Sequence, residues 1–354
     1  MTFPKRGASR RMFLQGAAAT ATIVGAAPFV IGRAKAAGPL TVNTWGGAWT
    51  AAETEAFFKP FTVKTGIEIK TATPVSYAKL KAQVDARNYE WDVSNANATE
   101  IKRANGEGLV EPLDWSVIDR NNLKVPVYEN GVGSIALATL ILYRTDKFPN
   151  GGPQNWADFW NVDKFPGKRS LYDRSFTALS FGLLADGVAT DKLYPMDVDR
   201  AFKSLDRVKK HIRVWWKQGN QSQQLIQDGE VDMIGLWSGR AFDSIEKNKL
   251  PGAVAWNGAE IYNAYWYAPK GTPRKKEAMQ FIDFVSQAKP LADLCKILPY
   301  GPLNPDSFQY FSEAEAKRMP TYPPNQKIGF FPDAEWLGPN LAKISERFSQ
   351  WLAS

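Results

Sequence analysis

Apolar and polar positions follow strand and helix periods in turn along the first part of the chain after residue 37. Residues 40–45 alternate as a strand that runs into Gly46 and Gly47, and helical spacing follows until Gly66. Thr50 and Glu53 have the spacing of a capping box, which predicts a helix start at Thr50. The pattern then predicts a strand around 67–69, a helix containing residues 77–84, a short strand at 91–93 and a helix capped by Thr99.

Alternating strands and helices of this kind predict an open, largely parallel α/β sheet with helices on both faces. In such sheets, ligands bind at the carboxyl ends of the strands. The apolar run 135–143 predicts a buried strand or a crossover between two lobes, and residues 262–269 predict a second, returning crossover. Between and after them the pattern predicts further elements: helices near 178–185 and 198–211, a strand at 231–237, and helices at 275–286, 290–298 and 339–352.

The first 37 residues have the pattern of an export signal. Arg10 and Arg11 precede a mildly apolar stretch, and small residues at Ala34 and Ala36 provide a cleavage site. The paired arginines followed by Met-Phe-Leu resemble the twin-arginine signal, which implies the twin-arginine export machinery as a partner, cleavage near Ala36 and a periplasmic protein. The alternative is an ordinary first helix. No cysteine follows the cleavage region, which excludes a lipid anchor on a new N-terminal cysteine.

Charge and composition exclude several functions. Six of the 44 basic residues lie in the first 37 residues, which leaves 38 against 36 acidic residues and removes the argument for nucleic-acid or membrane binding. The basic and aromatic stretch 209–217 is interpreted as a helix end and a strand rather than a nucleic-acid site. The only histidine, His211, and the only cysteine, Cys295, exclude a catalytic triad, a multi-histidine metal site and an internal disulfide. We therefore expect no metal and no cofactor.

Short motifs in a fixed order carry a family resemblance over essentially the whole chain after the signal. They include Trp156-Ala157-Asp158-Phe159-Trp160 and Leu298-Pro299-Tyr300-Gly301, together with residues 43–45, 61–67, 89–93, 108–114, 229–239 and 276–284. In this order and spacing the chain resembles a periplasmic solute-binding protein of an ABC importer, of the spermidine/putrescine-binding type.

The resemblance implies a two-lobed type II periplasmic binding protein fold, in which two mixed-sheet α/β domains are joined by two crossovers. It implies that residues 37–139 and 263–354 form lobe 1 and residues 140–262 form lobe 2. It also implies a monomer that closes on a small-molecule ligand in the cleft and presents it to a permease in the inner membrane, without catalysis.

This chain has the aromatic residues of the ligand site that the resemblance implies, but it lacks the acidic residues of that site. Trp45, Trp237, Tyr262 and Tyr300 match aromatic positions, and cation–π contact is one use of such rings. Where the family places acids, this chain has Arg174, Thr177 and Ala264. A buried cation without a carboxylate is costly, whereas a guanidinium pairs with a carboxylate in a bidentate manner.

A carboxylate-bearing ligand, such as an amino acid or a γ-aminobutyrate-like zwitterion, is therefore the favoured interpretation. Asn97 and Thr99, at a predicted helix start, are further candidate ligand contacts. Asp173, Asp243 and Glu260 are candidates for contact with a ligand amine, and no motif selects among them. A one-residue shift in the alignment places Asp173 at the acidic position and restores putrescine or spermidine as the ligand. An exported enzyme is the alternative from another class, and no cysteine cluster, histidine set or phosphate loop supports it.

Overall fold

The structure, a computed structural model, describes residues 38–354, which form one compact unit. The predicted signal sequence and its cleavage site lie outside the described residues. Within residues 38–354, no helix combines the length and apolar character that crossing a membrane requires.

Residues 38–354 contain ten strands, which form two sheets. They are β1 (Leu40–Asn43), β2 (Ile69–Ala72), β3 (Ser94–Asn97), β4 (Val127–Tyr128), β5 (Gly131–Arg144), β6 (Arg169–Tyr172), β7 (Ile212–Trp216), β8 (Met233–Trp237), β9 (Gly252–Tyr267) and β10 (Gly301–Pro302). β1 and β2 pair in parallel, and the large sheet has the order β3-β9-β5-β8-β6-β7, with β4 and β10 also paired to β5.

Helices follow most of the strands. They are α1 (Gly47–Glu53), α2 (Lys59–Thr65), α3 (Tyr77–Ala86), α4 (Ala98–Gly106), α5 (Trp156–Trp160), α6 (Ser175–Ala185), α7 (Val198–Lys209), α8 (Gly219–Gln227), α9 (Ser238–Glu246), α10 (Lys275–Val285), α11 (Ala288–Ile297), α12 (Glu313–Ala316), α13 (Pro323–Ile328) and α14 (Ala334–Ala353). A π-helical segment, Thr54–Phe58, connects α1 to α2, and 3₁₀ turns cover Thr190–Lys192 and Pro305–Tyr310.

The large sheet is mixed, so the prediction of a largely parallel sheet was wrong. The long strands β5 and β9 lie side by side and antiparallel from the pair Val132 and Trp266 to the pair Arg144 and Gly252. β8 and β3 also pair antiparallel to these strands, while β6 pairs in parallel with β7 and β8. β9 and β5 lie between β3 and β8 in the large sheet, and each of them runs antiparallel to both of its neighbours. They therefore interrupt the parallel arrangement that the βα repeats predict.

Two predicted helix starts were also wrong. α1 begins at Gly47 after Gly46, whose left-handed φ of 79° is accessible to glycine, and the buried Glu53 accepts a hydrogen bond from Thr44. Asn97, not Thr99, caps α4: its side chain accepts from the backbone N–H of Glu100, and the Glu100 carboxylate accepts from that of Asn97. Thr99 lies inside the first turn.

The core of the described residues contains four separate apolar groups. Phe57, Phe61, Trp266 and Phe281 belong to the first, and the second is built around the buried Trp156. α14, which the sequence analysis assigns to lobe 1, contributes buried apolar residues from its second half to the second group. The lobe boundaries stay a prediction.

Candidate ligand-binding site

A cavity of about 310 Å³ lies where four strands end and the helices after them begin. The junctions are β1 to α1, β3 to α4, β6 to α6, and β8 to α9. The cavity therefore lies at the carboxyl ends of strands, where the α/β pattern predicts a ligand site. Its volume falls within the range of about 300–1,000 Å³ that is typical of small-molecule pockets.

Six aromatic rings line the cavity. The lining rings are Trp45, Trp49, Tyr172, Trp237, Tyr262 and Tyr300. Tyr172 contacts the edge of Trp237 with ring centroids 5.6 Å apart, and Trp49 lies 5.2 Å from Tyr300. Burial raises the pKa of Tyr300 to about 12, so its hydroxyl stays protonated at neutral pH. These rings provide a rigid apolar surface with a few hydroxyl and indole donors.

Trp45 is the exposed ring of this wall. It is 48% exposed, and its indole N–H donates to the Asn95 side-chain oxygen at 2.7 Å. The Trp237 indole N–H is buried and has no acceptor among the described residues, which leaves a donor at the cavity wall.

Arg174 is the most informative charged residue of the cavity. It precedes α6, and its guanidinium lies over three rings, at 4.4 Å from the centroid of Phe176, 5.6 Å from Tyr262 and 5.9 Å from Tyr172. No carboxylate of the described residues lies within 4.0 Å of it. Burial lowers the pKa of Arg174, but nearby groups, including Tyr172 and Glu100, raise it above the ordinary value. The charge is therefore permanent and unpaired in this cleft.

A second charged group lies on α9 and α8. The Arg240 guanidinium donates to the Gln223 side-chain oxygen at 2.6 Å and lies 5.8 Å from the Trp237 ring centroid. Gln223 in turn donates to Asp243 at 3.0 Å, and Lys247 pairs with Asp243 at 2.9 Å. Gln223 thus holds a cation and an anion of the cavity wall in fixed positions.

Thr177 and Glu260 were predicted at the ligand and lie elsewhere. Both are fully buried, and the Thr177 hydroxyl hydrogen-bonds the Glu260 carboxylate oxygens at 2.9 and 3.0 Å. Burial raises the pKa of Glu260 to about 7, while Arg174 and Thr177 act in the opposite direction. Neither residue lines the cavity, because the two side chains are directed at each other in the interior.

The remaining predicted contacts divide between the main cavity and two adjoining ones. Asn97 lines the main cavity, whereas Thr99 lines only the adjoining cavities of about 260 and 210 Å³. Asp173 lines the larger of these and pairs with Lys217 at 3.4 Å. Six of the eight predicted contacts therefore reach the main cavity: Trp45, Asn97, Arg174, Trp237, Tyr262 and Tyr300.

Four polar residues of the cavity were not among the predicted contacts, namely Asn95, Glu100, Gln223 and Arg240. Glu100 had a usable signal, because it stands three residues after Asn97 in a capping box at a strand end. Gln223 lies in α8 and offers no local signal, because an amide in a helix is ordinarily solvated. Arg240 follows Trp237 by three residues at the start of α9, which was a usable signal for a residue near the same junction.

The cavity offers fixed charges and rings rather than reactive groups. Among residues 38–354, no cluster of three or more histidine, cysteine or acidic side chains has the arrangement of a metal site. Cys295 is buried, and burial raises the pKa of its thiol far above the ordinary range. What the arrangement can do is hold a small charged solute between guanidinium, carboxylate and aromatic groups.

Comparisons with known proteins agree with this description. The family model of the bacterial extracellular solute-binding proteins matches residues 56–324. A gamma-aminobutyric acid-binding protein of Pseudomonas aeruginosa is 35% identical over 322 residues, which is 89% of this chain and 91% of that protein.

Solved structures of similar proteins share the fold. The PBP AgtB of Agrobacterium tumefaciens R10, in complex with agropinic acid, is 34% identical with a TM-score of 0.82, over 90% of this chain and 99% of that chain. An ABC transporter substrate-binding protein of Bradyrhizobium japonicum is 33% identical with a TM-score of 0.84, over 89% and 100%. The predicted two-lobed α/β fold is confirmed, and the chain belongs to the bacterial extracellular solute-binding protein family.

Proposed function

We propose that this chain is the periplasmic ligand-binding component of an ABC importer whose ligand is a small amino acid of the γ-aminobutyrate class. The observation that carries the proposal is Arg174, a guanidinium that faces the cavity without a carboxylate partner. A ligand carboxylate satisfies two of its N–H donors at once, and the aromatic wall covers the ligand's methylene groups. The gamma-aminobutyric acid-binding relative from Pseudomonas aeruginosa supports the same ligand class.

A polyamine fits this cavity poorly. Two guanidiniums, Arg174 and Arg240, line it, and a polycation next to them meets like charge in a partly desolvated space. The acid of Asp243 is already paired with Lys247. The charge balance of the wall is close to zero, which favours a zwitterion over a polycation.

The mechanism is closure of two lobes on the ligand. Arg174 and Trp237 come from segments of proposed lobe 2, and Trp45 and Asn97 come from segments of proposed lobe 1. A ligand that contacts both sets stabilises the closed state only through the contacts that it makes in the closed state and does not make in the open state. The closed form then delivers the ligand to a permease in the inner membrane.

Export belongs to the same proposal. The protein passes through the twin-arginine machinery, loses residues 1–36 and works as a monomer in the periplasm. N-terminal sequencing of the protein from a periplasmic extract tests the cleavage, and expected results are a start at Ala37 and loss of export when Arg10 and Arg11 become lysines. Light scattering tests the monomer.

Isothermal titration calorimetry on residues 37–354 tests the ligand class. γ-Aminobutyrate, L-alanine, succinate, putrescine and spermidine are titrated in turn, with a thermal-shift assay as an independent readout. Ligand at about 100 times its dissociation constant adds roughly 2.7 kcal/mol to the free energy of unfolding, which is a visible shift. We expect binding of the amino acids and none of the polyamines. Binding of the polyamines alone overturns the proposal.

A further inference from the structure

Four acidic side chains lie in or behind the cavity region, and three of them are already engaged. Asp243 pairs with Lys247 at 2.9 Å and accepts from Gln223 at 3.0 Å. Asp173 and Glu260 do not line the main cavity; the first pairs with Lys217, and the second is enclosed with Thr177. A ligand ammonium group has no free partner among these three.

Glu100 is the remaining acid, and it is free. It lines both the main cavity and the adjoining cavity of about 260 Å³, as Arg174 does. No lysine or arginine of the described residues lies within 4.0 Å of its carboxylate, which accepts only from the backbone N–H of Asn97 at 3.3 Å. One carboxylate oxygen therefore remains without a hydrogen-bond donor in the part of the chain that the structure describes.

A gap wider than 4.0 Å separates the charged groups of Glu100 and Arg174, which line the same two cavities. The negative charge of Glu100 is one of the groups that raise the pKa of Arg174, so the two lie within electrostatic range, yet they form no ion pair. A molecule that carries both an ammonium and a carboxylate fits such a gap, because it pairs with both side chains and leaves neither charge alone. A plain carboxylate satisfies only Arg174.

The strand pairing adds a second reason. Asn97 of β3 is the register partner of Ala264 of β9, the position where the family resemblance leads us to expect an acid. The Glu100 carboxylate folds back to the backbone of Asn97 and lines the cavity together with Ala264. β9 places no carboxylate on the wall of the main cavity, and Glu100 of α4 is one of the two acids that line it.

We infer that Glu100 binds the ammonium group of the ligand while Arg174 binds its carboxylate, so that Glu100 selects amino acids against carboxylates without an amine. This inference rests on the proposed function. Glu100 lies in the first turn of α4 and Arg174 precedes α6, so the ligand joins the starts of two helices from segments of the two proposed lobes.

The test compares each amino acid with its counterpart that lacks the amine. Dissociation constants are measured by calorimetry for γ-aminobutyrate against butyrate and L-alanine against propionate, with wild-type protein, Glu100→Gln and Asp243→Asn. Glutamine keeps the capping box at this position, so Glu100→Gln removes the charge and preserves the helix start. Asp243→Asn is the matched control, an acid of the same cavity that is already paired.

We expect Glu100→Gln to weaken the bound amino acid at least about tenfold and to leave its amine-free counterpart unchanged. We expect Asp243→Asn to preserve the ratio of the dissociation constants of the amino acid and its amine-free counterpart. If Glu100 has a purely structural role, Glu100→Gln lowers the melting temperature and weakens the binding of both ligands alike, which overturns the inference. The inference is also overturned if Asp243→Asn, and not Glu100→Gln, abolishes the preference for the amino acid over its amine-free counterpart. Wild-type protein that binds putrescine and neither amino acid overturns the proposed function itself.

Discussion

Replacement of Arg174 by glutamine tests the central contact of the site. In the structure its guanidinium makes no hydrogen bond to any described residue and lies over ring faces, so the variant breaks no internal hydrogen bond. Burial disfavours the charge, but nearby groups, including Glu100, outweigh burial and raise the pKa of Arg174, so the folded protein on balance favours the charged form. We therefore expect the free energy of unfolding of the ligand-free protein to be slightly lower in Arg174→Gln.

The loss on binding follows from the hydrogen bonds that the guanidinium offers to a carboxylate. A hydrogen bond to a charged group contributes about 1.5–3 kcal/mol, and glutamine retains one neutral donor of the two that a bidentate contact uses. The expected loss is about 2–4 kcal/mol, which corresponds to a dissociation constant roughly 30-fold to nearly 1,000-fold higher.

Calorimetry with γ-aminobutyrate measures this loss, and thermal unfolding without ligand measures the stability. Arg213→Gln is the matched control, because Arg213 is an exposed arginine on β7 that lines none of the three cavities described above. Arg213→Gln has the same net charge as Arg174→Gln, so a change in ligand affinity that comes only from the net charge of the protein is the same in both variants. Equal affinity of wild type and Arg174→Gln refutes the assignment of Arg174 to the ligand carboxylate.

Two further predictions concern stability and shape. Burial raises the pKa of Glu53 from 4.5 to about 8, so unfolding releases its proton between these pH values and the folded state loses about 5 kcal/mol as the pH rises through them. Urea unfolding at pH 5, 7 and 8.5 should show a weaker decline in Glu53→Gln than in wild type; parallel declines contradict the assignment. In Gly239→Ala, the new Cβ lies 2.5 Å from Cζ of Tyr300, which forces the ring to shift and should weaken ligand binding about tenfold or more. Gly106→Ala meets no atom within 4 Å and should bind as wild type does, so equal titrations of the two alanine variants argue against a steric role for Gly239.

The sequence by itself determined the features that local chemistry controls. Residues 40–43 form a strand, Gly66 ends a helix in the left-handed conformation and the apolar run around 135–143 is a buried strand, as the pattern predicts. The rings at strand ends, Trp45 and Trp237, lie at the cavity, because the end of a strand is where the chain turns toward the ligand face.

Only the tertiary structure decided which of the polar groups meet. Thr177 stands three residues after Arg174, yet its hydroxyl donates to the Glu260 carboxylate in the interior and the residue does not line the cavity. Glu100 and Arg174 are 74 positions apart, and no periodicity relates them. They line one cavity because two long strands pair antiparallel and bring separate βα junctions to the same edge, and a local pattern carries no information about such long-range pairing.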